Sequence, residues 1–151
     1  MQQNARFVHT NLVAGDWRGL AAFYERVFGC VPVPPERHFS GPVLEAGTGI
    51  PGARLDGIHL RLPGYGEAGP TLEIFTYSPG AEAPAPRVNE PGFGHIAFQV
   101  ASVQDTRAEV LSGGGSTVGE VVTLTTADGR QVTWCYVRDP EGNIIELQSW
   151  V

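Results

Sequence analysis

The sequence predicts an α+β fold that consists of two βαβββ modules whose sheets face a shared cleft. Two blocks with the same order of strand and helix patterns follow each other along the 151 residues. Each block has a His on its first strand and a Glu on its last strand. A segment rich in Pro, Ala and Glu lies between the blocks. We therefore expect a first module at 1–77, a linker at 78–92 and a second module at 93–151.

The first module is predicted to begin with a strand at 6–13, where β-branched and aromatic residues predominate. A helix follows, because Asp16 can cap its N-terminus, apolar residues repeat at helical spacing and Gly29 can end it. Residues 31–52 contain five of the twelve prolines. They predict a long loop or a broken strand that is suited to cover a pocket. The last two strands are expected at 57–62 and 71–77.

The second module is predicted to repeat this order. A strand at 94–100 leads into a helix at 102–111, which ends at three consecutive glycines. The turn at 139–143, Asp-Pro-Glu-Gly-Asn, is expected to leave its two acids in solvent. In each module the helix must cover one face of the sheet, which leaves the other face free to line the cleft. The remaining strands are expected at 118–125, 130–137 and 143–149.

Strand alternation predicts which side chains line the cleft. Successive side chains of a strand point to opposite faces, so apolar residues at every second position mark the face under the helix. This places four chemically capable side chains on the cleft face: His9, Glu73, His95 and Glu146. A lone strand His such as His59 is more often structural than functional, and core packing explains Trp134 and Tyr136 about as well as pocket lining does. The wider set of candidate substrate contacts comprises His59, Arg61, Asn11, Phe75, Gln99, Trp134 and Tyr136.

The two Glu residues of this set stand between large aliphatic residues. A carboxylate in such surroundings is costly unless a cation, a metal or hydrogen-bond donors accompany it. For a single strand Glu, exposure at a sheet edge is the commoner explanation. Two such residues at equivalent repeat positions, each accompanied by a His, favour a divalent-metal site, since two carboxylates and two imidazoles together can bind and neutralise the ion.

Composition and charge exclude several classes of partner. The net charge is −6, the pI is near 5.1 and no run of Lys or Arg occurs, which argues against nucleic acid and anionic membranes. No apolar stretch approaches the roughly 20 residues that span a bilayer, and the N-terminus lacks a signal-peptide pattern. Cys30 and Cys135 are expected to be buried reduced thiols rather than a disulfide. These features predict a cytoplasmic protein.

The chain closely resembles the vicinal oxygen chelate superfamily, which includes glyoxalase I, methylmalonyl-CoA epimerase, fosfomycin-resistance transferases, bleomycin-binding proteins and extradiol dioxygenases. The resemblance covers essentially the whole chain. It implies paired βαβββ modules that form an open curved sheet, or cup, with a divalent ion at its base. The matching motifs are His9-Thr10 before a helix with Ala22-Phe23-Tyr24 and Val27-Phe28-Gly29, then Leu72-Glu73-Ile74, Gly94-His95-Ile96-Ala97-Phe98, and the run at 138–147.

The resemblance also implies roles for the four candidate ligands. His9, Glu73, His95 and Glu146 match the metal ligands of bacterial glyoxalase I, with two positions left for water or for the vicinal oxygens of a small-molecule substrate. The ion would be Ni, Co, Zn, Mn or Fe. Glu73 and Glu146 match the positions that remove a proton next to a carbonyl. The implied activity is therefore that of a lyase, isomerase or epimerase that works through a metal-bound enolate.

Two departures from glyoxalase I concern glutathione. Members of that branch commonly carry an Arg shortly after the first ligand, where this chain has Val13. They also carry an Asn just beyond the second ligand, where this chain has Tyr77 and Ser78. The cation and the amide suited to a glutathione conjugate are thus missing.

Other functions in the superfamily stay open on the sequence. An Fe(II) ring-cleaving dioxygenase would use His9, His95 and Glu146 as a 2-His-1-carboxylate triad. A metal-free drug-binding protein of the bleomycin-resistance kind would lack the four ligands that are present here. Thiol transfer to fosfomycin ranks lowest, because few Lys or Arg residues lie near the ligands. The linker is long enough for the halves to pair within one chain or to exchange between two, so a homodimer also stays open.

Overall fold

The computed structural model describes residues 4–151, and its contacts divide the chain into two compact units. Unit 1 is Met1–Glu82 and unit 2 is Ala83–Val151. Each unit consists of one β-sheet, with two helices in the described residues of unit 1 and one in unit 2, so the chain has the predicted α+β fold. No helix in the described part of the chain is long and apolar enough to cross a bilayer.

Unit 1 has the predicted βαβββ order with one added helix. The elements are β1 (His9–Val13), α1 (Trp17–Phe28), β2 (Val31–Ser40), α2 (Pro42–Thr48), β3 (Arg54–Arg61) and β4 (Thr71–Ser78). The sheet has the strand order β1-β4-β3-β2, in which β1 and β4 are parallel and the other pairs are antiparallel. This order puts β4, which carries Glu73, between two strands.

Helix α1 follows from local signals in the sequence. The Asp16 carboxylate accepts a hydrogen bond from the Gly19 backbone N–H at 3.1 Å, which caps the first turn. Gly29 ends the helix in the left-handed region with φ of 69°. The apolar face of the helix packs on β3 and β4, and therefore the opposite face of that sheet is left for polar side chains. The buried residues of helix α1 are Trp17, Leu20, Ala21, Phe23 and Tyr24.

The Pro-rich segment 31–52 is partly different from its prediction. The broken-strand alternative is correct for β2, whose pairing with β3 shifts between Val33 and Arg37. Strand β2 lies at the edge of the sheet, where prolines without an N–H donor are tolerated. Helix α2 was not predicted. It begins with Pro42 in its first turn, a position that suits the fixed φ of proline, and it ends at Gly49 with φ of 70°.

Unit 2 has one strand more than the predicted βαβββ order. The elements are β5 (Ile96–Gln99), α3 (Val103–Ser112), β6 (Ser116–Thr117), β7 (Val122–Thr125), β8 (Gln131–Arg138) and β9 (Ile144–Trp150). The strand predicted at 118–125 is the shorter β7, and β6, which was not predicted, precedes it; both pair with β8. The strand order of this five-stranded sheet is β5-β9-β8-β6, with β7 on another part of β8.

The turn before β9 corrects one expectation. Asp139 is not in solvent, because only 2% of it is exposed. Its Oδ1 accepts hydrogen bonds from the backbone N–H groups of Glu141 and Asn143 at 2.9 and 3.0 Å, and its Oδ2 accepts one from Asn143 Nδ2 at 2.8 Å. A short acidic side chain can satisfy the N–H groups of its own turn, and this carboxylate thereby fixes the entry into β9. Glu141 is exposed as expected.

The two cysteines are free and buried, as predicted. Burial raises the pKa of the Cys30 thiol to about 11. Burial also raises the pKa of the Cys135 thiol. Both side chains are therefore neutral, unreactive core residues at neutral pH.

Candidate metal centre

Glu73 is the centre of a polar cluster on one face of the unit 1 sheet. Its two neighbours in β4 are buried on the opposite face, while its own side chain is 12% exposed. Asn11 Nδ2 donates a hydrogen bond to Glu73 Oε1 at 2.9 Å. His59 Nε2 lies 2.7 Å from Glu73 Oε2, and His9 Nε2 lies 3.7 Å from Oε1. One carboxylate thus contacts an amide and faces two imidazoles.

Strand register explains why these side chains meet. In the sheet, Glu73 pairs with Asn11 of β1 on one side and with His59 of β3 on the other. His9 precedes Asn11 by two residues and so shares its face. The ring of His59 is fixed at both nitrogens, because Nδ1 is also 3.1 Å from Thr71 Oγ1.

Unit 2 contains an equivalent pair. Glu146 Oε2 lies 2.9 Å from His95 Nε2, and the Glu146 side chain is 20% exposed. Glu146 pairs in register with Ala97 of β5 and with Tyr136 of β8. His95 precedes Ala97 by two residues, just as His9 precedes the strand partner of Glu73. The repeat in the sequence is therefore also a repeat in strand register.

The two units differ in the residue that pairs with the Glu on the neighbouring antiparallel strand, which is β3 in unit 1 and β8 in unit 2. Unit 1 has His59 at this position and unit 2 has Tyr136. The centroid of the Tyr136 ring lies 5.0 Å from that of His95 and 5.2 Å from that of Trp134. Burial is the main cause that raises the pKa of the Tyr136 hydroxyl, and the charge of Glu146 raises this pKa further. Tyr136 therefore stays a neutral phenol beside the carboxylate at neutral pH.

The surroundings of His59 favour its neutral form. Burial lowers the pKa of His59, and Glu73 partly opposes this effect. The neighbouring basic groups of Arg37 and His9 lower the pKa of His59 further. A neutral imidazole has a free lone pair, which is the form that binds a metal.

The residues of unit 1 fit a divalent cation. One ligand atom each of His9, His59 and Glu73 lie within 4.8 Å of one another. Two ligand atoms that are each about 2.1 Å from one ion lie about 3.0–3.4 Å apart. The two observed His–Glu distances in this cluster, 2.7 and 3.7 Å, are on either side of that range, so small side-chain rotations would suffice.

The predicted site residues fall into two groups, one in each unit. Unit 1 brings His9, Asn11 and Glu73 together, and unit 2 brings His95, Tyr136 and Glu146 together. Phe75 is buried with its ring centroid 6.2 Å from that of His59. The other candidates lie at strand positions beside these groups: Arg61 opposite Thr71, Gln99 opposite Gln148, and Trp134 next to Tyr136 on one face of β8.

Sequence reasoning underestimated His59. Alternation placed it on the polar face, but only as a possible substrate contact. In the structure its Nε2 lies closer to Glu73 than that of His9 does. The contact between His59 and Glu73 could be predicted only from the register of β3 on β4. The connection at 62–70 determines that register, and alternation alone does not give it.

A second charged cluster lies on β2, β3 and α1 of unit 1. His38 Nδ1 is 2.5 Å from Asp56 Oδ1, and His38 Nε2 is 3.2 Å from Glu36 Oε2. Arg18 donates two hydrogen bonds to the Glu36 carboxylate at 2.7 and 2.8 Å. The bond to Asp56 raises the pKa of His38, and the same bond lowers the pKa of Asp56. The bond from Arg18 lowers the pKa of Glu36.

We expect this cluster to make stability depend on pH. The pKa of His38 is raised above 6.5, so its stabilising effect is complete below 6.5 and is lost as pH rises through the higher folded value. The pKa values of Glu36 and Asp56 are lowered from 4.5 and 3.8, so the stabilisation that these two carboxylates give the folded state is complete above those values. The cluster therefore stabilises the protein fully between pH 4.5 and 6.5.

Urea unfolding should show wild type more stable than His38→Gln at pH 5.5, with the difference in free energy of unfolding shrinking by pH 8.5. An equal difference at both pH values would contradict this.

The comparisons with known proteins agree with this architecture. The family model of the Glyoxalase/Bleomycin resistance protein/Dioxygenase superfamily matches residues 6–147, and the chain belongs to that superfamily. No curated protein matches the chain.

Solved structures with similar folds come from several bacteria. A glyoxalase family protein from Bacillus cereus has a TM-score of 0.84 at 20% identity, with 99% of this chain and 97% of that chain covered. A glyoxylase/bleomycin resistance protein/dioxygenase domain from Frankia has a TM-score of 0.61 at 15% identity, with 97% and 98% covered. A virulence protein from Salmonella typhimurium has a TM-score of 0.55 at 23% identity, with 99% and 100% covered. At such identities the likeness shows the fold alone.

Proposed function

We propose that the chain is a divalent-metal-dependent lyase, isomerase or epimerase that moves a proton next to the carbonyl of a small molecule with vicinal oxygens. The observation that carries the proposal is the His–Glu pair found at the same strand register in both units. The proposed ligands are His9, Glu73, His95 and Glu146. A bound divalent ion would stabilise negative charge that develops on the substrate oxygen. The metal could be Ni, Co, Zn, Mn or Fe.

The contacts of the two carboxylates suggest different roles. Glu73 has a donor on each oxygen, Asn11 on Oε1 and His59 near Oε2, which supports a fixed ligand. Glu146 has one short contact, with His95, and a long one of 3.5 Å from Gln148 Nε2. A carboxylate with fewer fixed contacts is freer to move towards the substrate proton that a base removes. We therefore assign Glu146 as the first candidate for the base.

The surroundings favour a small substrate without a glutathione moiety. Phe75 and Tyr136 supply aromatic surface next to the Glu residues of their own units. Val13 and Tyr77 occupy the positions where glyoxalase I relatives carry groups for glutathione. A cytoplasmic location and a homodimer belong to the same proposal. The two free thiols, Cys30 and Cys135, support the first of these, since disulfides are rare in the cytoplasm.

One observation favours a second candidate, an Fe(II) dioxygenase. The triad His9, His95 and Glu146 supplies two imidazoles and one carboxylate, with Glu146 Oε2 2.9 Å from His95 Nε2, and these are the ligand types of non-haem iron enzymes. Such an enzyme would consume oxygen with catechols when loaded with Fe(II).

Metal analysis followed by isotope exchange tests these functions. Elemental analysis of purified protein should give about one divalent ion for each chain. The loaded protein should then catalyse deuterium uptake from solvent into a hydroxy-ketone or a 2-acyl-CoA, and protein stripped with a chelator should not. Oxygen uptake with catechols would favour the dioxygenase instead. Failure to bind Ni, Co, Zn, Mn or Fe would overturn both enzyme proposals and favour a metal-free binding protein.

A further inference from the structure

We propose that His59 is a metal ligand, and that His9, His59 and Glu73 form a three-ligand metal site within unit 1 that does not require the residues of unit 2. This inference rests on the proposed function in that both need a divalent ion and both use His9 and Glu73 as ligands. It goes beyond the four-ligand set, because that set contains no residue from β3.

The first argument is the position of His59 in the sheet. It lies directly opposite Glu73, where unit 2 has Tyr136 opposite Glu146. Register would place any side chain at this position beside the carboxylate. Unit 1 has an imidazole there, which binds divalent transition metals well, whereas a neutral phenol does not readily do so.

The second argument is the orientation of the imidazole. His59 Nε2 faces Glu73 Oε2 at 2.7 Å, and Nδ1 makes a hydrogen bond with Thr71 Oγ1 at 3.1 Å. A His that binds metal through one nitrogen almost always has its other nitrogen fixed by a neighbouring polar group. Thr71 is such a group. The His59 side chain is 18% exposed, against 38% for His9, so its ring is the more firmly held of the two.

The third argument is the completeness of the group. His9, His59 and Glu73 supply two imidazoles and one carboxylate within 4.8 Å. Asn11 Nδ2 holds the remaining carboxylate oxygen at 2.9 Å, as a supporting residue of a metal site does. Three protein ligands with open positions are the arrangement of catalytic zinc and non-haem iron sites.

Co²⁺ is a suitable probe because its visible absorption reports coordination by nitrogen and oxygen.

The test uses the full chain with the ligands of unit 2 removed. His95→Gln/Glu146→Gln should still bind one equivalent of Co²⁺, followed by visible absorption and by competition with a chelator. Adding His59→Gln in this background should weaken binding at least tenfold. Adding Thr71→Val should weaken it less. Adding His38→Gln, which removes a His of the same sheet outside the group, should leave it unchanged.

Each other outcome has a distinct meaning. If wild type binds Co²⁺ and His95→Gln/Glu146→Gln does not, the site in unit 1 is overturned while the proposed function stands. If His59→Gln has no effect in that background, His59 is not a ligand. If wild type binds neither Co²⁺ nor the other metals, both proposals fail. Circular dichroism melting curves check that each variant is folded, and X-ray absorption of the Co²⁺ form of His95→Gln/Glu146→Gln should show two imidazoles, against one if His59 is not bound.

Discussion

Glu146→Gln is expected to lower the affinity for divalent metal and to abolish most proton-transfer activity. The substitution keeps the shape of the side chain but removes the negative charge that faces His95 Nε2 at 2.9 Å. Loss of a residue that merely orients a ligand costs about 10–100-fold in metal affinity, and loss of a ligand should cost at least that much. Loss of a general base slows catalysis about 10²–10⁴-fold.

Chelator competition and solvent deuterium exchange measure these two effects. The matched control is Glu109→Gln, which removes an exposed Glu from α3 in the same unit and changes the net charge equally. We expect that control to behave like wild type. Equal metal affinity and equal exchange in Glu146→Gln and Glu109→Gln would remove Glu146 from the proposed site.

Gly57→Ala is expected to destabilise the protein by about 3 kcal/mol, the upper part of the usual range for an overpacked core. A Cβ at Gly57 would lie 2.0 Å from the carbonyl oxygen of Ile74 and 2.4 Å from Phe75 Cδ1. The Ile74 carbonyl belongs to β4, which is held between β1 and β3 and cannot easily move. The Phe75 ring would have to shift, and it lies 6.2 Å from His59, so metal binding should weaken as well.

Urea unfolding gives the free energy of unfolding for this variant. The matched control is Gly47→Ala in α2, an exposed position where an added Cβ meets nothing within 4 Å. Alanine is the better helix former, so that control should gain about 0.5–1 kcal/mol. Gly57→Ala with wild-type stability would show that β4 adapts more readily than its position suggests.

The features predicted correctly from the sequence depend on local chemistry. Helix α1 was predicted because Asp16, the apolar spacing and Gly29 act within a few residues of one another. Alternation also predicts that the His and the Glu of each half share one face of the sheet, and in each unit the two side chains lie close together. Pro42 and Gly49 mark the ends of helix α2, but the surrounding prolines favour a loop or a broken strand, so the sequence does not predict this helix.

The features that were missed depend on pairing between distant residues. The contact between His59 and Glu73 requires the register of two strands joined by a turn, which the apolar pattern does not fix. The burial of Asp139 requires knowing that its carboxylate accepts the N–H groups of its own turn. The short strand β6 is defined only by its pairing with β8, so the sequence pattern does not reveal it.

The prolines of β2 have a consequence for behaviour at high concentration. An edge strand offers a row of unpaired N–H and C=O groups on which a strand of another molecule can align, and this is a common start of aggregation. Pro32, Pro34 and Pro35 have no N–H and so interrupt the donors along this strand, and the pairing shift before Arg37 interrupts its regular pairing again. Substituting these prolines with Val would restore the donors and create a β-prone segment. The edge of unit 1 is thereby protected against strand addition by its own sequence.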